Sequence, residues 1–370
     1  MVLFIIIISS CHIYAESSEL ENENFLEIDY RDISSTEEIN LEYDPLKIPE
    51  FLVKGIYVSG WAAGDEAKIN RLIQLVNQSE LNTMVIDVKD EFGHISYRSD
   101  VDMAGFTGAN ENKISNINQF LRVLKKNNIY TIARITVFKD PNLAKSRPDL
   151  SLPIKTSDDE IVFSREWVDP YLKIVRNYNI DLAKEAYDLG FDEVQFDYIR
   201  YPVIRDQERQ IFTYGESKID NINRFVSQAK KELAEYDRPL SIDVFGLTTS
   251  LEGGIGIGQS FRELAEKINI ISPMVYPSHY DPGIFGIESP AEEPYKIIKK
   301  SIGDARQKTL DIDKPDVKIR PWLQDFSLGH RYTEREVIQQ IKALDELGIE
   351  EWLLWNPGSK YTEEVFDNLR

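Results

Sequence analysis

Leu189-Gly190-Phe191-Asp192-Glu193-Val194-Gln195-Phe196-Asp197-Tyr198-Ile199 packs a helix end, a turn and a strand into one short stretch. Gly190 follows an amphipathic run, where glycine takes the left-handed conformation that closes a last helical turn. From Glu193 the period changes to two. Val194, Phe196 and Tyr198 share one face, and Gln195 and Asp197 share the other. A strand entered straight from a helix, with an apolar face to pack on helices, is half of a β/α unit.

The same unit recurs on both sides. Strand-like runs occupy 54–59, 83–89, 129–135, 193–199, 240–245, 270–276, 318–324 and 351–355. Between them lie helical faces such as Ile69, Leu72, Ile73 and Val76; Ile222, Phe225, Val226, Ala229 and Leu233; and Ile338, Ile341, Leu344 and Leu347. Strict alternation implies parallel strands with right-handed crossovers, and eight units predict a closed (β/α)8 TIM barrel over residues 51–370. An open nucleotide-binding sheet would carry GxGxxG after its first strand, where Ser59-Gly60-Trp61 stands instead. Long connections follow strands 2, 3 and 6, while the returns from helix to strand are short. That asymmetry places the site on the C-terminal rim. The cluster Gly253-Gly254-Ile255-Gly256-Ile257-Gly258 does not fit phosphate-loop spacing and is expected to be a rim loop.

Ahead of the barrel the chemistry differs. Val2 to Ile8 are all apolar, too few to span a bilayer but enough for the core of an export signal within residues 1–15. Ile8-Ser9-Ser10-Cys11 resembles a lipobox with Cys11 as the lipidated residue; cleavage after Ala15 is the other route to export, and a buried N-terminal strand the alternative to both. No basic residue precedes the run. Residues 16–50 are acidic and polar, with only Arg31 and Lys47 basic, and read as a disordered tether closed by Pro45 and Pro49. An exported protein, extracellular or held at the cell envelope through that lipid, is expected, and as a monomer.

The chain has 370 residues, 42% of them hydrophobic and 11% aromatic, with a net charge of −20. Such a charge disfavours nucleic acid and anionic membrane surfaces as partners. One cysteine forms no internal disulfide, and four histidines without cysteine pairs give no zinc spacing. HExxH, GxSxG and the P-loop lysine motif are absent. No cofactor and no metal is expected.

Alternation along the strands sends Asp87 and Lys89, Gln195 and Asp197, Ser241 and Asp243, and Trp322 and Gln324 toward the barrel axis. An inward aspartate near a strand's C-terminal end is costly unless paired or functional. Glycoside hydrolysis needs two carboxyl groups flanking the glycosidic oxygen, one to give a proton and one to attack or to activate water. Asp197 and Asp243, on adjacent strands, are the candidate catalytic pair, since one carboxylate raises the pKa of the other. The competing reading is an ion pair inside the barrel with Lys89, Arg134 or Arg200. Asp87 or Asp325 is the next candidate carboxylate. Tyr57, Trp61, Tyr276, Trp322 and Trp355 stand at or past strand ends, where rings stack on sugar faces; each could equally be core. Together with Asp87, Lys89, Arg134, Arg200, His279 and Gln324, four of them (Tyr57, Tyr276, Trp322 and Trp355) make the candidate substrate contacts.

Gly190-Phe191-Asp192-Glu193-Val194-Gln195-Phe196-Asp197-Tyr198-Ile199-Arg200-Tyr201-Pro202 resembles the signature of a bacterial family of glycoside hydrolases in the TIM-barrel glycosidase clan. Val85-Ile86-Asp87-Val88-Lys89-Asp90, Trp167-Val168-Asp169-Pro170, Gly256-Ile257-Gly258-Gln259 and Pro273-Met274-Val275-Tyr276-Pro277-Ser278-His279-Tyr280 are similar to its other blocks. The resemblance covers residues 53–357. It implies a barrel, secretion and work on a polysaccharide or oligosaccharide, with Asp197 as the catalytic candidate. Many barrel glycosidases place a glutamate on strand 4 or 7, where this chain has Asp197 and Gln324. A non-catalytic carbohydrate-binding barrel is the second reading. A metal-dependent deacetylase, which would want an aspartate with two histidines such as His94 and His279, is the third.

Overall fold

A computed structural model describes residues 49–204, 210–312 and 317–368. The predicted export signal, Cys11 and almost all of the acidic tether lie outside the described residues. Eight parallel strands form the barrel: β1 Lys54–Val58, β2 Thr83–Lys89, β3 Tyr130–Thr136, β4 Glu193–Asp197, β5 Leu240–Phe245, β6 Ile270–Met274, β7 and β8 Trp352–Trp355. β7 comes in two pieces, Lys318–Ile319 and Trp322–Gln324, around Pro321, which has no N–H to donate. Each strand pairs with the next, and β8 returns to β1 with Lys54 opposite Trp352, so the sheet closes into a ring. Across the seam Ser59 N donates to Ser359 Oγ, 300 residues away, and the Tyr361 hydroxyl donates to Tyr57 O.

Helices cover the ring because their apolar stripes match its outer face. Ile69, Leu72, Ile73 and Val76 are the buried residues of Glu66–Asn77, whose first turn is capped by Asp65. Thr333 and Glu336 form a capping box at the start of Glu334–Asp345, which buries Val337, Ile341 and Leu344. That helix stops before Leu347, which the periodicity had included. Lys173–Leu189 ends at Gly190 with φ of 105°, the left-handed residue read from the sequence. The large core lies between ring and helices. A smaller one fills the ring itself with Val53, Tyr57, Val85, Ile132, Tyr276, Trp322 and Leu353.

Two features escape the alternation. The long connection after β3 is not irregular: Ser151–Lys155, Ile161–Val168 and Gln210–Ile211 form a small antiparallel sheet, built from the connections after both β3 and β4. At the N-terminal end of the ring, Arg320 is fully buried. Its Nη1 lies 2.8 and 3.0 Å from the two oxygens of Glu193, and its Nε 2.8 Å from Glu351 Oε2. Ser241 and Tyr130 hydroxyls also donate to Glu193, at 2.5 and 3.1 Å. The network ties β3, β4, β5, β7 and the entry to β8 together from inside.

Candidate active site

β4 ends at Asp197 rather than at Ile199 because Tyr198 takes a positive φ of 52°. A bulky residue in that region is strained, and such strain concentrates where a side chain must be aimed. The turn brings Tyr198 N within 2.5 Å of Asp197 Oδ1. The other oxygen, Oδ2, accepts from Arg134 Nε at 3.1 Å and Nη2 at 2.5 Å. The third guanidinium nitrogen, Nη1, reaches Asp87 Oδ1 at 2.5 Å, and the Tyr57 hydroxyl donates to Asp87 Oδ2 at 2.5 Å. One arginine on β3 therefore bridges aspartates on β2 and β4, and the ion pair that competed with a catalytic role for Asp197 is present. All three side chains are buried. Tyr57 stacks on Trp355 at 3.9 Å between ring centroids, and the Arg134 guanidinium lies 5.0 Å from the Trp355 ring.

Asp243 is placed differently. Trp322 Nε1 donates to its Oδ1 at 2.8 Å, while its Oδ2 has no hydrogen-bond partner. Burial raises its pKa well above the carboxylate range, the charge of Asp197 adds to that, and Arg134 opposes it. Behind it, Gln259 bridges the ends of β4 and β5. Its Oε1 accepts from Phe245 N at 2.8 Å, and its Nε2 contacts the carbonyls of Asp243 and Ile199. The glycine cluster is the rim loop that delivers Gln259. Gly258 has φ of 85°, and a Cβ there would stand 2.7 Å from Lys218 O. The sequence offered the Gly-Ile-Gly-Gln block but not this bracing role.

The remaining predicted residues divide. Tyr276, Trp322 and Trp355 meet at the mouth, with Trp322 and Trp355 edge to face at 5.5 Å. His279 is exposed and packs edge-on to Tyr276. Gln324 is held within the protein: its Oε1 accepts from Ser278 N and Oγ, and its Nε2 donates to Phe326 O. Lys89 does not face the mouth. β2 bulges between Asp87 and Lys89, the alternation flips, and Lys89 turns outward to Asp140 and Asn179, 2.8 and 2.7 Å away. Asp325 accepts both Thr362 N and Thr362 Oγ1 and so anchors the C-terminal segment. Trp61 is exposed beside Lys113. Arg200 is half-buried on the rim, over Trp167 and Tyr198.

Among the described residues one group has the spacing of metal ligands: Asp90, His94 and Glu111. The Lys113 ammonium lies 2.6 Å from Asp90 Oδ2 and 2.8 Å from Glu111 Oε2, so a cation already balances those carboxylates. His94 belongs to that group and His279 to the mouth aromatics, so the two are not a pair beside one aspartate.

Burial also raises Asp87 from 3.8 to about 6, more than Arg134 lowers it. The folded chain therefore keeps a proton that the unfolded chain loses between those values. Stability from this group is fully present below pH 3.8 and is lost as pH rises through about 6. Chemical denaturation of Asp87→Asn across that window should show a flatter decline in stability than the parent. Parallel curves would mean that Asp87 does not titrate there.

Residues 55–361 match the family described as "Putative glycosyl hydrolase domain". No curated protein matches the sequence. Several solved structures are similar. A hypothetical protein from Ruminiclostridium thermocellum ATCC 27405 is 35% identical, over 51% of this chain and 97% of that one, with a TM-score of 0.45. The PgaB (BpsB) glycoside hydrolase domain from Bordetella bronchiseptica is 12% identical, over 85% of this chain and 99% of that one, with a TM-score of 0.59. An Ostrinia furnacalis Group IV chitinase is 11% identical, over 86% and 99%, with a TM-score of 0.51. At 11 and 12% identity the last two speak for the fold alone. The match over nearly the whole barrel decides the family: this chain belongs to the one described as "Putative glycosyl hydrolase domain".

Proposed function

We propose that this barrel hydrolyses O-glycosidic bonds of an extracellular or cell-surface polysaccharide through Asp197 and Asp243. The carrying observation is the unequal treatment of two buried aspartates on adjacent strands. Asp197 accepts three N–H bonds, so it is oriented as an acceptor and presents a carboxylate for attack on the anomeric carbon or on water. Asp243 has a raised pKa and one oxygen without a partner, which suits a carboxyl that keeps its proton until a leaving oxygen takes it. Trp355, half-buried, is the ring at this mouth that a sugar face can reach, while Tyr57, Tyr276 and Trp322 are buried beneath it and support it. Export, with lipidation at Cys11 as its favoured route, belongs to the same proposal, and mass spectrometry of the mature N-terminus tests it.

A second reading has one observation in its favour. The double grip of Arg134 on Asp197 is also what a structural ion pair looks like, and a carbohydrate-binding barrel without turnover would keep it. Release of reducing ends from a glycan library separates the two. Turnover that does not depend on added or chelated metal supports the proposal. Tight glycan binding with no new reducing ends overturns it in favour of the binding barrel, and metal-dependent loss of acetyl groups in favour of the deacetylase.

A further inference from the structure

Past their last ladder residues, β3 and β4 stay side by side. Val137 N donates to Asp197 O and Phe138 N to Tyr198 O. The next residue on the first chain is Lys139, and two residues beyond Tyr198 on the second is Arg200. Both cations converge on one ring: Lys139 Nζ lies 5.4 Å and the Arg200 guanidinium carbon 5.2 Å from the centre of Tyr198, the residue that follows Asp197. The Arg200 carbon is also 4.9 Å from the Trp167 ring.

Several buried cations near this rim are matched to carboxylates. Lys89 is paired with Asp140, Lys113 with Asp90 and Glu111, Arg134 with Asp87 and Asp197. Lys139 and Arg200, both half-buried, have no carboxylate within ion-pair distance among the described residues. Arg200 spends one N–H on Tyr201 O at 3.0 Å and leaves the rest of its fork open. Glu91, the other rim carboxylate whose charge acts on Tyr198, is ion-paired to neither. The two cations thus stand together with no carboxylate partner among the described residues. Tyr198 and Trp167 hold them by their ring faces, which fixes position without neutralising charge. A neutral sugar needs no such pair. A planar or tetrahedral oxyanion does, because a guanidinium fork and an ammonium together satisfy it from two sides.

We propose that the glycan this barrel takes is anionic, with a carboxylate or sulfate substituent on the sugar beside Asp197 held by Arg200 and Lys139. The proposal rests on the hydrolase reading for its substrate position but not for its chemistry. Arg134 is already matched by Asp87 and Asp197, so an arriving anion meets the two rim cations first.

The test is calorimetric binding in an Asp197→Asn background, so that nothing is consumed. The probes are hexamers of galacturonic and of glucuronic acid with their carboxyl-reduced counterparts, and a sulfated hexamer with its desulfated form. At least one acid form should bind about 10- to 100-fold tighter than its neutral counterpart, the range of one charge-assisted contact. The pair that discriminates identifies carboxylate or sulfate. Arg200→Gln with Lys139→Gln should erase the difference between acid and neutral forms. Lys139→Gln alone, at a half-buried position without an ion pair, should narrow it even if the double variant folds poorly. Equal binding of acid and neutral forms, binding of neither, or a preference that survives the substitutions overturns the proposal. Turnover is scored separately on the parent chain. Neutral glycans cut as fast as acid ones sink this proposal and leave the hydrolase reading standing. Selective acid binding with no turnover of any hexamer does the reverse.

Discussion

Asp197→Asn should lower turnover by about 10²–10⁴-fold while the protein keeps its fold. The amide keeps the shape, and its single oxygen can still accept from Arg134, although not also from Tyr198 N, which bonds the opposite carboxylate oxygen; it cannot attack or take a proton. Arg134 also retains its bond to Asp87, so its charge is not stranded. Asp243→Asn should be equally silent on poor leaving groups, and partly restored on substrates whose leaving group needs no proton. The acid is the group with the raised pKa, so parent activity should fall on the alkaline side as pH rises past it, and Asp243→Asn should lose that limb. Rates on an activated aryl glycoside and on a natural glycan, with melting curves for all three proteins, decide the assignment. If Asp197→Asn turns over at the parent rate, the catalytic role is wrong. If it unfolds, Asp197 is a strut for Arg134.

The largest stability effect belongs to the opposite end of the ring. Arg320→Met should cost about 3–5 kcal/mol, because it leaves Glu193, fully buried, with hydroxyl donors but no counter-charge. Against a typical total of about 5–15 kcal/mol that is a large fraction. Combining it with Glu193→Gln and Glu351→Gln removes the charges together, and most of the loss should return, since desolvating an ion pair costs nearly what the pair regains. Urea titrations of the single and triple variants measure both steps. Specific activity per folded molecule should be unchanged, as the network lies at the N-terminal end and the candidate site at the other. A single variant as stable as the parent would show that water reaches Glu193.

The barrel was legible because its signal is repeated. Eight strands alternate with helices, and the strand bounds read from the sequence fall close to the observed ones. The departures have local causes: Tyr198 turns β4 off at Asp197, and Pro321 divides β7. Alternation within strands brought Asp87, Asp197, Asp243 and Trp322 to one mouth. It misplaced Lys89, because a bulge between Asp87 and Lys89 shifts the count and no residue type announces it. Glu193 and Arg320 went unread for another reason. Each faces inward by the same parity as its neighbours, but their partnership spans distant segments that no spacing rule connects. The antiparallel sheet after β3 has strand-like composition, yet its third strand comes from the connection after β4, so neither loop alone shows it. Gln259, Lys139 and the outward pairing of Lys89 are likewise visible only once neighbouring strands are side by side.

The closed seam also sets an order of events during synthesis. β1 leaves the ribosome early, but its partner on one side, β8, is made last. Until then the backbone groups of β1 that later pair with Trp352 to Leu354 have no mate. A nascent chain of this design carries an open sheet edge for most of its elongation, and contacts as distant in sequence as Ser59 to Ser359 make for slow closure. A chain cut short before Trp352 would keep that edge permanently, as a sticky ribbon rather than a ring. For this barrel, holdase chaperones should matter most while the last helix and strand are still being translated.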